Sequence, residues 1–192
     1  MLFSVDPDAL ADVSLVDEVR RLPEDTARRY GFSGDTLDFL VRTGLPSSDA
    51  YDLWFGPPQD FDPDFVWDFD TLAAMGWANP DAAQTVVKLG GFLTNSVATD
   101  PRTGLVYQYT EGTKLVIPLH GDVSSLAHTV ITFLGYIESY TPSDDDEYDD
   151  ARRRREVEAL MAEIRRIDPL PFTHEQSTWN ELFENLWMGI YT

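Results

Sequence analysis

Four short runs of β-prone residues follow one another in the middle of the chain. The runs cover residues 85–89, 92–99, 105–109 and 114–119. The segments between them are short and contain glycine. Short connections join antiparallel neighbours, because parallel strands need a crossover of about a dozen residues or more. The pattern therefore predicts an antiparallel β-meander, with turns at residues 90–91, 100–104 and 111–113.

The second of these turns, at residues 100–104, has the clearest turn chemistry. Pro101 presets the backbone for the first turn position, and Gly104 can adopt a positive φ. This combination predicts a type I turn closed by a bulge.

An amphipathic helix is predicted directly after the meander. Asp122 or Ser124 can cap its N-terminus by accepting a hydrogen bond from an otherwise unpaired N–H group. Apolar residues then recur at spacings of three and four, which is typical of one buried helix face. They are Val123, Leu126, Ala127, Val130, Phe133, Leu134, Ile137 and Tyr140. We expect this stripe to pack on the meander.

Further helices are predicted on the N-terminal side of this unit. Residues 14–29 carry enough apolar positions for an opening helix that Pro23 ends or restarts. Proline followed by acidic residues is typical of a first helical turn, so Pro23 also indicates where a second helix begins. Residues 36–43 form the next predicted helix.

The C-terminal side begins with an acidic loop at about residues 141–150. A helix follows the loop and stops before Pro169, and a last amphipathic helix begins at about Thr173. The predicted fold class is therefore α+β, an antiparallel β-meander sheet flanked by N-terminal and C-terminal helices.

Length and composition predict one globular domain, residues 1–192. A chain of 192 residues is within the size range of a single hydrophobic core. No apolar run approaches the ~20 residues that span a bilayer, and no secretory leader is recognisable, so we expect a cytoplasmic protein that does not contact membranes. The absence of cysteine excludes disulfides, thiolate metal sites and thiol nucleophiles.

The net charge is strongly negative. There are 34 acidic and 14 basic residues, for a formal net charge of -20. Nucleic-acid binding is disfavoured, because it requires lysine and arginine to neutralise phosphates. Two interpretations remain open: a general requirement for solubility, or electrostatic steering toward a basic protein partner.

The segment from residue 50 to residue 78 interleaves acidic and aromatic residues. One interpretation is that the aromatic residues cover an end of the sheet while the carboxylates stay solvated. The other is a partner-binding patch with aromatic anchors and flanking acids. The candidate contact residues are Trp54, Asp60, Asp62, Asp64, Trp67, Asp68 and Asp70.

The acidic loop is a second candidate patch. Its candidate contact residues are Asp144, Asp145, Asp146 and Glu147. The alternative is an ordinary exposed loop leading into a helix, whose acidic start complements the helix dipole.

Motifs of catalysis and cofactor binding are missing. His120, His128 and His174 are the only histidines, and their spacing does not match a metal-binding motif. No phosphate-binding loop and no nucleophile elbow is present. The acidic run at residues 60–64 lacks the glycine and the distal glutamate of a calcium loop. We expect no cofactor, no metal and no enzymatic activity, although a pair of acids brought together by the fold stays open.

Several short motifs resemble the SUKH superfamily of bacterial immunity proteins, and most closely its fourth family. They are Phe39-Leu40-Val41-Arg42-Thr43-Gly44-Leu45-Pro46, the hairpin at residues 100–107, Val116-Ile117-Pro118-Leu119 followed by Ser124-Ser125-Leu126, and the closing segment from Ser177 to Tyr191. The resemblance spans most of the chain in the same order.

The resemblance implies an α+β fold, no catalysis and a cognate toxin partner that is often a nuclease or a nucleic-acid deaminase. The family resemblance and the strongly negative net charge together lead us to expect a monomer that binds a basic toxin. The alternative function is a cytoplasmic regulatory module that binds another protein through the same scaffold.

Overall fold

A six-stranded antiparallel sheet, with most of the described helices packed on one face, forms the body of the protein. The computed structural model describes residues 1–78, 85–144 and 146–191. The α-helices are α1 (Pro7–Asp12), α2 (Glu24–Arg29), α3 (Gly34–Arg42), α4 (Phe69–Ala74), α5 (Val123–Ser139), α6 (Asp146–Ile167) and α7 (Thr178–Trp187). The strands are β1 (Glu18–Arg20), β2 (Leu45–Ser47), β3 (Leu53–Phe55), β4 (Val66–Asp68), β5 (Thr85–Phe92), β6 (Asn95–Thr99), β7 (Val106–Thr110) and β8 (Leu115–His120).

The predicted meander is confirmed as strands β5 to β8. Their order in the sheet is the order in the chain, and every pairing is antiparallel. β3 and β4 both pair with β5 on its other side, β3 opposite Gly90–Phe92 and β4 opposite Thr85–Val87. The fold class is α+β, as the sequence predicts.

A turn forms at residues 100–104, and its glycine has the predicted positive φ. Gly104 has a φ of 80°, and its N–H donates to the carbonyl of Asp100 at 2.8 Å. The Asp100 carboxylate accepts hydrogen bonds from the backbone N–H of Arg102 and the hydroxyl of Thr103, both at 2.9 Å. A Cβ at Gly104 would lie 2.7 Å from the hydroxyl oxygen of Thr36, so the turn packs tightly against α3.

The predicted turn at Gly90-Gly91 is wrong, because β5 continues through both glycines with a bulge between Lys88 and Gly90. The chain reverses instead at Leu93, which has a φ of 53°. Gly90 has a φ of 152°, and a Cβ there would lie 2.0 Å from the carbonyl oxygen of Trp54. These glycines allow β3 to approach β5 closely rather than providing a turn.

Helix α5 lies on the inner face of the sheet, the face toward the helices. Its N-cap is Asp122, whose carboxylate accepts a hydrogen bond of 3.0 Å from the N–H of Ser125, as predicted. The stripe along α5 joins a large core with residues of α2, α3, α6 and α7. Most of the meander therefore serves as a packed platform.

The predicted opening helix at residues 14–29 is wrong in its first half. Glu18–Arg20 is strand β1, which pairs with β2, and the first helix lies earlier, at Pro7–Asp12. The second half is confirmed, since α2 begins directly after Pro23. The pairing of β1 with a strand more than 20 residues away outweighs the local helical pattern.

The acidic loop is shorter than predicted, because α6 begins at Asp146. After α6, a 3₁₀ turn at Leu170–Phe172 leads to α7. Within the described residues, no helix has the combined length and apolar character that crossing a membrane requires.

Candidate protein-binding surface

A second cluster of buried residues covers the sheet face opposite to α5. We call this the outer face. The cluster consists of Trp67, Leu72, Trp77, Val86, Ala98, Tyr107 and Tyr109. Helix α4 contributes Leu72, so the segment that leads from β4 into α4 folds over this face.

Aromatic side chains form a continuous row on the outer face. Tyr109 lies between Trp67 and Trp77, with ring centroids 5.4 and 5.2 Å away and rings nearly perpendicular at 80° and 82°. Edge-to-face contacts of this kind stabilise a rigid arrangement. Burial raises the pKa of Tyr109, and its hydroxyl has no hydrogen-bond partner within the described part of the chain.

Two lysines pack over tryptophans of the outer face, one near each end of the row. The ammonium of Lys88 lies 5.0 Å from the ring centroid of Trp54 and 5.8 Å from that of Trp67. At the other end, the ammonium of Lys114 lies 4.4 Å above Trp77. We call the four rings together with the two lysines the aromatic row. Its members are Trp54, Lys88, Trp67, Tyr109, Trp77 and Lys114.

The two tryptophans predicted as anchors have different environments. In β3, Leu53 and Phe55 point to the inner core, so Trp54 between them projects from the outer face and is 42% exposed. Its ring lies over Gly91, where a Cβ would be 3.1 Å from Cζ2. Trp67 is only 6% exposed, and its indole N–H donates to the carbonyl of Asp64 at 3.1 Å. Trp54 is therefore the accessible ring of the pair.

Two of the predicted acidic contact residues stabilise the local fold. Asp62 accepts a hydrogen bond of 2.9 Å from the N–H of Asp64 and caps a 3₁₀ turn. Asp68 caps α4 by accepting a hydrogen bond of 2.8 Å from the N–H of Thr71. Hydrogen bonds from Thr71 lower the pKa of Asp68. An aspartate directly before the first helical residue is a recognisable capping signal in the sequence.

The other acidic residues of this segment remain available to a partner. Asp60, Asp64 and Asp70 are exposed, and their carboxylates form no ion pair with any described residue. The sequence from residue 43 to residue 87 contains neither lysine nor arginine. We call these three exposed carboxylates, which flank β4 along the chain, the acidic rim. Arg29 lies close to part of it, with its guanidinium 4.3 Å from the ring centroid of Phe61.

The second predicted patch is only partly described. Asp144 is exposed, Asp145 lies outside the described residues, and Asp146 and Glu147 begin α6. Further along this helix the acids pair within the chain. Asp149 forms ion pairs with Arg152 at 2.9 Å and with Arg153 at 3.1 Å, and Asp150 pairs with Arg153.

A buried polar network connects the sheet to the C-terminal helices. The indole N–H of Trp179 donates to Nε2 of His120 at 2.7 Å, and Nδ1 of His120 lies 2.9 Å from the hydroxyl of Ser125. The hydroxyl of Ser125 donates in turn to the carboxylate of Asp168. This carboxylate also accepts a hydrogen bond of 2.8 Å from the N–H of Gly121. All four side chains of the network are at most 2% exposed.

These residue types are those of a serine hydrolase triad, but their order is reversed. In a triad the serine hydroxyl gives its proton to histidine, whereas Ser125 accepts from His120 and donates to Asp168. Burial also lowers the pKa of His120 to about 3, which keeps it neutral. The network has no access for a substrate, so its arrangement is structural.

A cleft of about 290 Å³ lies between α6 and α7, on the helical side of the sheet. Val157, Met161, Phe183 and Trp187 give it an apolar floor, with charged residues at its mouth. Within the described residues, no group of three or more metal-ligating side chains comes together.

An exposed tryptophan beside a carboxylate rim, on a rigid sheet face, is typical of a protein that binds another protein. The model of the SUKH-4 immunity protein family matches residues 5–185. The chain therefore belongs to the SUKH-4 immunity protein family, which makes it an immunity protein with a cognate toxin as its partner. Neither the curated proteins nor the solved structures that were searched gave a significant match.

Proposed function

We propose that the protein neutralises its cognate toxin in the cytoplasm by forming a one-to-one complex, and that this toxin acts on nucleic acid as a nuclease or a deaminase. Membership in the SUKH-4 family supports the toxin as a partner. The net charge of -20 supports the substrate class, because enzymes that act on nucleic acid present basic surfaces to phosphates. An acidic protein can occupy such a surface in place of the nucleic acid.

The exposed ring of Trp54 on the outer face is the observation that carries the choice of surface. Large, well-supported aromatic rings are typical hot spots of protein interfaces. Trp54 is 42% exposed, and its ring is held between Gly91 and Lys88, so it loses little conformational freedom on binding. The exposed carboxylates of Asp60, Asp64 and Asp70, in the segment that carries β4 and α4, add negative charge to this surface in the proposal.

The supporting residues fix the geometry of this surface. Asp62 and Asp68 cap the short helical turns that carry the free carboxylates, and Trp67 supports Lys88 from below. The toxin would meet a preformed surface, and long-range attraction would accelerate the encounter at low salt. The free protein is a monomer in this proposal, and the exposed part of the acidic loop, including Asp144, is a second contact.

Co-expression tests the proposal directly. The cognate toxin domain, which we expect to be encoded by an open reading frame beside this gene, is expressed with and without the protein in the same host. We expect growth to be rescued, and the two chains to co-purify as a complex whose mass by light scattering equals one copy of each. The Trp54→Ala variant should rescue growth less well, with an affinity for the toxin domain at least about tenfold weaker.

If the folded protein neither rescues growth nor forms a complex with the toxin domain, the proposal is wrong. Recovery of a stable complex with an endogenous host protein, without rescue, would instead favour a regulatory role.

A further inference from the structure

Lys88 is held by rings from three separate elements. Besides Trp54 of β3 and Trp67 of β4, the ring of Phe65 lies 5.8 Å from the ammonium. The stem of Lys88 rises from the middle of β5, the strand that pairs with β3, β4 and β6. The position of the ammonium is therefore fixed by the sheet itself.

The ammonium has no hydrogen-bond acceptor in the described part of the chain. No carboxylate lies within 4.0 Å of Lys88 there, and no oxygen accepts a hydrogen bond from it. Aromatic faces attract a cation but leave its three N–H donors without acceptors. In the free protein, water can accept hydrogen bonds from these donors because Lys88 is only half-buried.

Lys114 provides an internal comparison, since it is the only other lysine of the sequence. It also lies over a tryptophan, Trp77, but its ammonium forms an ion pair of 2.6 Å with Glu111. Two lysines thus occupy similar positions on the outer face. Among the described residues, Lys114 is paired with a carboxylate and Lys88 is not.

Binding of a partner at Trp54 would change the solvation of the Lys88 ammonium. A partner that covers this ring also removes water from the ammonium 5.0 Å away. A cation that is desolvated without a partner charge is strongly destabilised. An anionic acceptor on the toxin would offset this cost, and it would do so more fully than a neutral oxygen.

We infer that Lys88 and its aromatic floor form a binding site for one carboxylate side chain of the toxin. This inference rests on the proposed function and adds to it the chemistry of the central contact. The exposed carboxylates at the rim favour a basic toxin surface, whereas Lys88 binds a single acidic side chain within that surface. Enzymes that act on nucleic acid carry such acids inside basic grooves, where they hold metal ions or transfer protons.

Binding measurements with matched variants test the inference. Calorimetry with the cognate toxin domain compares the wild type with Lys88→Met, Lys88→Arg and Arg155→Met. Methionine keeps an unbranched apolar stem but removes the charge, and Arg155 is exposed on α6, outside the proposed surface. We expect Lys88→Met to weaken binding about 30-fold or more, Lys88→Arg to stay within about tenfold of wild type, and Arg155→Met to stay within about threefold.

Zero-length crosslinking of the wild-type complex tests the contact without any substitution. A carbodiimide activates a carboxylate, and an amine within contact distance then displaces it to form an amide, with the carbodiimide released as its urea. We expect peptide mass spectrometry to find Lys88 joined to one aspartate or glutamate of the toxin. A purely structural role of Lys88 would not produce this bond.

Two outcomes separate this inference from the proposed function. If the wild-type protein binds the toxin domain, but Lys88→Met binds equally well and no crosslink forms at Lys88, the inference is wrong and the proposed function stands. If the wild-type protein does not bind the toxin domain at all, both are wrong.

Discussion

The indole N–H of Trp179 donates a hydrogen bond of 2.7 Å to Nε2 of His120, a residue 59 positions earlier in the chain. This bond joins the first turn of α7 to the last residue of β8. It also fixes the tautomer of His120, because Nε2 must be unprotonated to accept it. Nδ1 then carries the proton and donates to Ser125.

The Trp179→Phe substitution should destabilise the protein. It leaves the buried Nε2 of His120 without a donor and leaves part of the indole volume empty. We expect the free energy of unfolding to fall by about 2–4 kcal/mol, as measured by urea denaturation. Trp54→Phe is the matched control, and because Trp54 is exposed, its effect should stay within about 0.5 kcal/mol. Equal losses for the two variants would contradict the assigned role of the hydrogen bond.

The stability should fall as the pH is lowered from 6.5 to 4.5. Burial holds the pKa of His120 at about 3 in the folded state, below its ordinary value of 6.5, and burial also lowers the pKa of His128. In this pH range the unfolded chain takes up protons at these positions that the folded chain does not. For His120 alone, we expect the free energy of unfolding to decrease by about 1.4 kcal/mol per pH unit below 6.5.

The His120→Gln variant is the control for this pH dependence. Glutamine retains one acceptor and a donor for the same network but does not titrate. Its free energy of unfolding, measured by urea denaturation at each pH, should have a shallower slope between pH 6.5 and 4.5. If the slope is unchanged, His120 is not the source of the pH dependence.

The Gly90→Ala substitution should disrupt the junction between β3 and β5. A Cβ at residue 90 would lie 2.0 Å from the carbonyl oxygen of Trp54, and the backbone φ of 152° is unfavourable for alanine. We expect a loss of at least about 3 kcal/mol in the free energy of unfolding, measured by urea denaturation. Gly112→Ala is the matched control with open space around it, and it should unfold like the wild type within about 0.5 kcal/mol.

Charge reversal at the rim should slow association with the toxin domain. The variant Asp64→Lys with Asp70→Lys changes two exposed carboxylates and leaves the capping residues Asp62 and Asp68 intact. Stopped-flow measurements should show an association rate at least about tenfold lower at low salt, with the difference shrinking as salt increases.

The control for the charge reversal has the same net charge. Asp12→Lys with Glu175→Lys changes two exposed acids outside the proposed surface. A rim that steers the toxin predicts a smaller effect for this control. Identical rates for the two double variants would mean that only the total charge matters.

Local sequence signals predicted the parts of the fold that depend on neighbouring residues. The turn at Asp100–Gly104, the N-cap at Asp122 and the meander itself all follow from side-chain chemistry within a few positions. Long-range pairing decided the rest. Strand β1 forms because Val19 pairs with Pro46, and β5 passes through Gly90 because β3 must approach there.

The sequence indicated a segment that contributes to the candidate surface but not which of its rings are exposed. Trp54 and Trp67 of this segment lie on the outer face, whereas Phe55 and Phe61 pack on the inner core. The exposure of Trp54 and the burial of Trp67 depend on which strand each ring occupies and on the pairing with β5. Lys88 and Tyr109 complete the row from strands far away in sequence. The alternation of polar and apolar residues along a single strand cannot reveal such neighbours.

The location of both lysines has a practical consequence for laboratory work. Lys88 and Lys114 lie over tryptophans of the same face, and no other side-chain amine exists in the sequence. Amine-directed dyes, biotinylation or coupling to a sensor chip would therefore modify the face proposed to bind the toxin. Since the sequence contains no cysteine, a single cysteine introduced on α6 gives a unique attachment point that leaves this face open.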